Sequence, residues 1–142
     1  MKFLQTAVLE EAALERFFKE KWTELEDKQT LKQYGYLVDF EGDYKAFFAL
    51  IPVDSTTLWL KSLYMAEGVP AYFPLAMVES TVTLAKETGA TSLFIHSHQD
   101  TLNMLLYLLQ FEEENKAPFV DNKRVQPGSW WKKDLTCSNA VR

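Results

Sequence analysis

The spacing of hydrophobic residues in the middle of the chain predicts a strand, a helix and a second strand in succession. An extended run covers Thr57 to Met65, helical spacing covers Pro74 to Thr88, and a second extended run covers Thr91 to His96. Gly89 follows the helical stretch as the left-handed residue that commonly ends a helix. This order predicts two parallel strands joined by a right-handed crossover, with ligands bound at the carboxyl ends of the strands.

The flanking segments carry patterns that extend this unit into a mixed sheet with further helices. Strands are predicted at Lys2–Ala7, Gln33–Phe40, Tyr44–Val53, Phe111–Asn115 and Ser129–Leu135, with helices at Leu9–Leu25 and Asp100–Leu109. Asp27 to Lys32 is expected to form a loop or a short helical turn, and Val120 to Gly128 a loop. We therefore expect one mixed α/β domain over residues 1–135, with six or seven strands, and a flexible tail over residues 136–142.

The segment from Asp100 to Leu109 is apolar on nearly every side of the predicted helix. Such a helix is packed on several sides or partly covered by a partner. Because one small domain can wrap a single short helix, we expect this helix to be mostly buried, with any exposed remainder forming a homodimer contact. The carboxylate of Asp100 is expected to cap its first turn.

Composition and charge limit the classes of partner that the protein is expected to bind. The chain has 142 residues, a net charge of −5 and one cysteine, so an intrachain disulfide cannot form. An acidic protein without a basic cluster is poorly suited to nucleic acid, so no nucleic-acid partner is expected. The start of the chain lacks the apolar core of a signal peptide, and no apolar run could span a bilayer. We therefore expect a cytoplasmic protein without a membrane partner.

Several local phrases occur in an order that resembles one known family. They are Phe3 to Leu14, Met77 to Ala90, Leu93 to His96, Leu102 to Phe111 and Trp130 to Leu135. Together they are similar to successive strands and helices of the GNAT acyltransferase superfamily, and the matching order of predicted elements covers nearly the whole chain. The resemblance implies a GNAT fold and the transfer of an acetyl or acyl group from acyl-CoA to an amine. It also implies that backbone amides at Leu63, Tyr64 and Met65 hold the pantetheine arm and the carbonyl.

The loop that would bind the pyrophosphate of acyl-CoA departs from the family pattern. GNAT enzymes present backbone amides from a glycine-rich loop at a helix N-terminus. Here the matching positions are Val69 to Pro74, with Gly68 just before them. Pro70 and Pro74 lack amide donors, and Tyr72 and Phe73 add bulk. Ala71, Tyr72 and Phe73 are the implied cofactor-binding positions, and we expect acetyl-CoA to bind there weakly or not at all.

The tyrosine that often protonates the leaving thiolate in this family also lacks a direct match. Its helix position holds Leu106, and Tyr107 follows one residue later, rotated about 100° around the helix. Tyr107 is therefore the candidate acid. If phosphate recognition has moved to side chains, Lys61 and Lys86 are the candidate cations.

Two histidines mark the end of the second parallel strand. His96 and His98 share a face if the strand continues that far, and either could act as a general base for an amine. The simpler interpretation is that they are polar residues finishing a strand. A metal site from His96, His98 and Asp100 is not expected, because no further ligands are spaced to complete it.

Two functions remain open from the sequence. One is a divergent GNAT-type N-acyltransferase that acts on a small-molecule or peptide amine, with His96 or His98 as the base. The other is a GNAT-fold binding or regulatory module that has lost catalysis and does not bind CoA tightly. The composition of the loop before Pro74 slightly favours the second function.

Overall fold

The computed structural model describes residues 1–114 and 128–136. The predicted loop before Gly128 and the tail after Thr136 therefore lie outside the described residues. The strands are β1 (Lys2–Gln5), β2 (Gly35–Phe40), β3 (Asp43–Pro52), β4 (Thr57–Met65), β5 (Ser92–Ser97), β6 (Glu112–Glu114) and β7 (Ser129–Asp134). The helices are α1 (Glu11–Phe18), α2 (Lys28–Tyr34), α3 (Phe73–Glu87) and α4 (Asp100–Leu108), with short 3-10 segments at Thr6–Val8 and Lys19–Glu24.

The strands form one sheet in the order β1-β2-β3-β4-β5-β7-β6. Strands β4 and β5 are parallel, and the other neighbouring pairs are antiparallel. The predicted parallel pair, the mixed α/β class and the six or seven strands are confirmed. None of the helices in the described part of the chain is long and apolar enough to span a bilayer.

Each face of the sheet carries its own apolar core. On one face, which we call the α3 face, Phe48 and Leu60 pack with residues of α3 and α4. On the other, the α1 face, Phe47 and Ala49 pack with residues of α1 and α2. Successive residues of β3 alternate between the two cores, as side chains of a strand do. The sheet is therefore covered on both sides, and the ends of its central strands are the places where backbone can remain open.

The predicted helix from Leu9 to Leu25 is broken. Helix α1 ends at Phe18, and Lys19 has φ 54° and ψ −122°, a conformation that interrupts helical hydrogen bonding. A 3-10 segment follows, and Trp22 still stacks on Phe18 with ring centroids 6.1 Å apart. The apolar residues that suggested one long helix therefore still pack together, although the segment that carries them is not one continuous helix. The segment from Lys28 then forms α2, where only a loop or short turn is expected from the sequence.

The expectation that the helix after β5 is mostly buried is wrong. In α4 Leu106 is fully buried, whereas Met104, Tyr107 and Leu108 are 66%, 73% and 67% exposed. The helix packs on one face of the sheet, so one row of its residues enters the core. Asp100 is its first residue, but no side-chain hydrogen bond caps the helix. The homodimer contact stays a prediction.

Asp54 holds the turn that leads into β4. Its carboxylate accepts hydrogen bonds from the Thr56 backbone N–H at 2.8 Å and from the Thr56 hydroxyl at 3.2 Å. The bond from the Thr56 backbone N–H contributes most, and together these bonds hold the pKa of Asp54 below its ordinary value. The bonds therefore stabilise the folded protein at neutral pH, and this contribution to the free energy of unfolding is lost as the pH falls through the lowered pKa.

Gln110 follows the last residues of α4 at a position where helices commonly carry glycine. Gln110 has φ +67°, a left-handed conformation that favours glycine. The amide of Gln110 donates to the Tyr107 carbonyl at 3.0 Å, and the amide of Phe111 donates to the Leu106 carbonyl at 2.9 Å. This pattern ends the helix as a glycine normally would.

We therefore expect Gln110→Gly to stabilise the protein by up to about 1 kcal/mol. The left-handed conformation costs a residue with Cβ roughly 1–2 kcal/mol, and glycine's greater loss of entropy on folding offsets part of the gain. Denaturant unfolding measures the effect. Gln110→Ala is the matched control, because it removes the side chain but keeps Cβ. A glycine variant no more stable than the alanine variant would contradict this account.

Candidate functional site

Strands β4 and β5 separate before either strand ends. Their pairing runs from Thr57 opposite Ser92 to Leu60 opposite Ile95. Strand β4 then continues to Met65, paired on its other side with β3. The edge of β4 from Lys61 to Met65 that faces β5 therefore has no strand partner in the described part of the chain. Its backbone N–H and C=O groups are available to a ligand at the carboxyl ends of the parallel pair.

A β-bulge lies within this open edge. Phe47 pairs with Tyr64 and Ala49 pairs with Lys61, so two residues of β4 oppose the single residue Phe48 of β3. Ser62, one of the two, has φ +61°. The bulge turns the backbone and places Lys61 and Tyr64 on the same α1 face. Sequence reasoning missed it, because a serine carries no signal for a left-handed conformation.

The three residues predicted to hold the pantetheine arm lie on this edge, but their side chains diverge. Leu63 packs on the α3 face. Tyr64 packs on the α1 face, with its ring 5.2 Å from that of Phe18 and the Lys21 ammonium 5.7 Å from its ring centroid. Met65 is 38% exposed. What the three positions share is backbone, which is the part that the resemblance implies would bind.

In the loop before α3, one of the two side chains predicted to obstruct a phosphate lies elsewhere. Phe73 is fully buried and packs edge-on against Phe40 with ring centroids 5.4 Å apart. Its ring leaves the loop surface because α3 begins at this residue and directs it into the core. Its amide is also occupied, because it donates to the Pro70 carbonyl at 3.0 Å. Tyr72 remains on the loop surface, 58% exposed.

The start of α3 keeps a reduced set of amide donors. Within residues 1–114 and 128–136, the amides of Ala71, Tyr72 and Leu75 pair with no acceptor. Pro70 and Pro74 have none to offer. A helix N-terminus favours an anion. This loop can therefore contact a phosphate, but with fewer donors than a glycine-rich loop provides.

Neither cation considered as a substitute lies at this loop. Lys86 is in the last turn of α3, 13 residues and roughly 20 Å along the helix from Phe73. Lys61 is on the α1 face, with its ammonium 4.9 Å from the ring centroid of Trp59 and 3.7 Å from a carboxylate oxygen of Asp27. Neither of these two lysines therefore adds a positive charge to the amide donors of this loop.

His96 lies where β4 and β5 separate, one residue beyond their last pair. Because Ile95 enters the core of the α3 face, His96 lies on the α1 face. It is half-buried, with its ring centroid 5.0 Å from that of Trp130. A Cβ at Gly128 would approach the His96 ring at 3.0 Å and the Ser97 carbonyl at 2.4 Å, so the chain packs closely behind the histidine. Of the three predicted catalytic residues, His96 is the one at the opening.

The other two predicted catalytic residues are not brought to this place. His98 is exposed beyond the end of β5. Tyr107 is 73% exposed on α4, which packs on the α3 face through Leu106, opposite to the face of His96. Their catalytic roles stay predictions. No group of three or more histidine, cysteine, aspartate or glutamate residues among the described residues could hold a metal ion.

A cleft of about 670 Å³ lies against the end of β4, beneath α1 and the 3-10 segment after it. We call it the basic cleft. The cations that line it are Arg16, Lys19, Lys21 and Lys45. Tyr64 and Met65 of the open edge also line it, as do the carboxylates of Asp43 and Glu67. It was not found from the sequence, because its residues come from three separate segments.

A second cleft, of about 330 Å³, lies at the opposite end of the sheet. Thr57 at the start of β4 and Ala90 before β5 line it. The backbone there is paired, since Thr57 lies opposite Ser92. We therefore place the candidate site at the carboxyl end of β4.

Several solved structures with a similar fold contain CoA or acetyl-CoA. N-acetylglutamate synthase from Neisseria gonorrhoeae, complexed with coenzyme A and N-acetylglutamate, matches with a TM-score of 0.67 and 12% identity over 96% of this chain and 35% of that one. A protein from Mycobacterium tuberculosis in complex with CoA matches with a TM-score of 0.70 and 10% identity, covering 95% and 99% of the two chains.

A GNAT family acetyltransferase from Elizabethkingia anophelis with acetyl-CoA bound matches with a TM-score of 0.59 and 18% identity. The match covers 77% of this chain and 84% of that one. No family model matches the sequence, and comparison with curated proteins gives no match. At these identities, the likeness establishes the fold.

Proposed function

Because this chain has the fold of the GNAT N-acetyltransferases, we propose that it transfers an acyl group from an acyl-CoA thioester to an amine. The observation that carries the proposal is the open, bulged edge of β4 beside β5. A strand edge inside a covered sheet leaves donors and acceptors unpaired unless a ligand satisfies them. The structures of similar fold that contain CoA or acetyl-CoA support this assignment.

The backbone of β4 suits the pantetheine arm of acyl-CoA. That arm contains two amide groups, which can pair with a strand edge as an added strand does. Lys61 to Met65 would supply the edge, and a backbone N–H near the bulge would donate to the thioester carbonyl. The amides of Ala71, Tyr72 and Leu75 would contact the pyrophosphate. The side chain of Phe73 would take no part, since it lies in the core.

His96 would accept the proton of the amine, since it lies where β4 and β5 separate. It would take that proton as the amine nitrogen bonds to the acyl carbon and the carbon–sulfur bond breaks. The leaving thiolate needs no strong acid, because thiols are much more acidic than alcohols (the cysteine thiol has a pKa of roughly 8.5), and it can take up a proton from solvent. Transfer can therefore proceed although Leu106 stands at the position of the family tyrosine and Tyr107 lies on the other face.

A second function, that of a binding module without catalysis, is favoured by one feature. The loop before α3 has two prolines and an amide already bonded to the Pro70 carbonyl, so phosphate contacts are few. A protein that no longer binds CoA tightly would keep the fold and lose the reaction.

Thermal unfolding separates these two functions. We expect acetyl-CoA and S-acetylpantetheine both to raise the melting temperature, because the pantetheine arm supplies most contacts. A ligand at 100 times its dissociation constant stabilises the folded state by about 2.7 kcal/mol. The reduced loop predicts less than about a tenfold difference in affinity between the two ligands, which corresponds to 1.4 kcal/mol. Adenosine diphosphate is the control and should cause no shift.

Two other results of the thermal unfolding experiment would contradict this expectation. Absence of a shift with either thioester at millimolar concentration would favour the binding module. Saturation at micromolar acetyl-CoA without any effect of S-acetylpantetheine would show that the loop binds the nucleotide after all. Release of free thiol in the presence of a series of amines then tests acyl transfer itself.

A further inference from the structure

The basic cleft has a charge opposite to that of the protein. Four cations and two carboxylates line it, in a chain of net charge −5. In the described part of the chain, none of the four cations has a carboxylate oxygen within 4.0 Å. Cations gathered in a cleft and left without ion pairs raise the local concentration of anions.

The walls of the cleft are also suited to an organic ligand. Phe17, Tyr44 and Tyr64 line it, and Phe18 beneath them is 5% exposed. Apolar walls with a few convergent charges are typical of small-molecule sites. Lys19 enters the cleft from a backbone with φ 54° and ψ −122°, a sparsely populated conformation of the kind found at ligand sites.

The cleft adjoins the open edge of β4. Tyr64 and Met65 belong to both, and Glu67 follows at the rim. A molecule in the cleft therefore contacts Tyr64 and Met65, two of the residues whose backbone would hold the thioester carbonyl. A carboxylate at the rim can attract an ammonium group, while the lysines attract an anion elsewhere on the same molecule.

We propose that the basic cleft is the acceptor site and that the acceptor is an amine carrying an anionic group, a carboxylate or a phosphate. This inference rests on the proposed acyl transfer, and it adds the chemical class of the acceptor. The four cations bind the anionic group, and the aromatic side chains cover the apolar part. The amine is then directed towards the open edge of β4.

Matched pairs of probes test the inference on the donor-free protein. Phenylalanine and phenethylamine differ by a carboxylate, and O-phosphoethanolamine and ethanolamine differ by a phosphate. Titrations followed by NMR should show that the anionic member of at least one pair binds about tenfold to a hundredfold more tightly, as expected for charge-assisted hydrogen bonds. The pair that discriminates identifies the anion.

A double variant then tests whether the preference for the anionic probe arises in the basic cleft. Lys19→Gln with Lys45→Gln should reduce it to less than about threefold, since both cations line the cleft. Lys2→Gln with Lys86→Gln removes the same charge from exposed positions outside the cleft and should leave the preference intact. Unfolding curves establish that both variants fold, and Arg16→Gln with Lys21→Gln is a second cleft variant.

Three results would overturn the inference. They are equal binding of both members in both pairs, no binding of any probe, and a preference that survives in both cleft variants. Failure here is distinct from failure of the proposed function. Acyl transfer to neutral amines without preference would contradict the cleft assignment alone. Anionic probes that bind in the cleft, without thiol release for any amine, would contradict acyl transfer alone.

Discussion

His96→Ala is expected to lower kcat for acyl transfer by about 10²–10⁴-fold, the usual contribution of a general base. The histidine lies where β4 and β5 separate, on the face that also carries the basic cleft. Steady-state release of free thiol measures the effect. His98→Ala is the matched control, because His98 is exposed beyond the end of β5.

Stability must be followed in the same variants. His96 is half-buried against Trp130, so its removal leaves some packing unfilled. If His96→Ala unfolds like the parent protein but has a lower rate of acyl transfer, the histidine has a chemical role. Parental rates in His96→Ala would remove this histidine from the mechanism and leave water or a carboxylate such as Glu67 as the base.

Leu106→Ala is expected to destabilise the protein by about 2–5 kcal/mol, the range for a buried leucine in a well-packed core. Leu106 is fully buried on the α3 face and is the buried residue of α4. Leu108→Ala on the same helix is the control, and it should change the free energy of unfolding by less than about 0.5 kcal/mol because Leu108 is 67% exposed. Denaturant unfolding measures both.

Equal effects of the two substitutions would show that the burial of α4 is assigned incorrectly. The pair also bears on the missing tyrosine. If Leu106 is a core residue, the helix position that commonly supplies an acid in GNAT acyltransferases is structural here, and Tyr107 lies on a different side of the helix.

The central unit of the fold was predictable because its pattern is strong. Strand β4 has the predicted bounds, Thr57 to Met65, and helix α3 differs by one residue at each end. Apolar runs, a proline in the first turn and a glycine after the helix all indicate the same structure. When local signals agree with the tertiary packing, a sequence defines its elements well.

Two of the features missed from the sequence involve residues other than glycine that have positive φ. Lys19 ends α1 and Ser62 forms the bulge in β4, both with positive φ. A lysine or a serine gives no sequence signal for a positive φ. Tertiary contacts hold the backbone in this conformation at both positions. The exposure of α4 was also missed, since an apolar helix does not reveal which of its sides the sheet covers.

The candidate site was predictable in place but not in composition. The carboxyl ends of the parallel strands were expected, and the open edge of β4 lies there. The basic cleft unites three segments, around Lys19, Lys45 and Tyr64, that only the fold brings together. The position of His96 at the opening depends on where strand pairing stops, which residue patterns do not specify.

The most direct test of the account follows the backbone amide resonances of Lys61 to Met65 during titration with acetyl-CoA and, separately, with S-acetylpantetheine. We expect saturable changes at these amides with both ligands, because the open edge of β4 would pair with the pantetheine arm. Unchanged resonances along this edge at millimolar ligand would contradict it, whether or not resonances elsewhere in the protein respond.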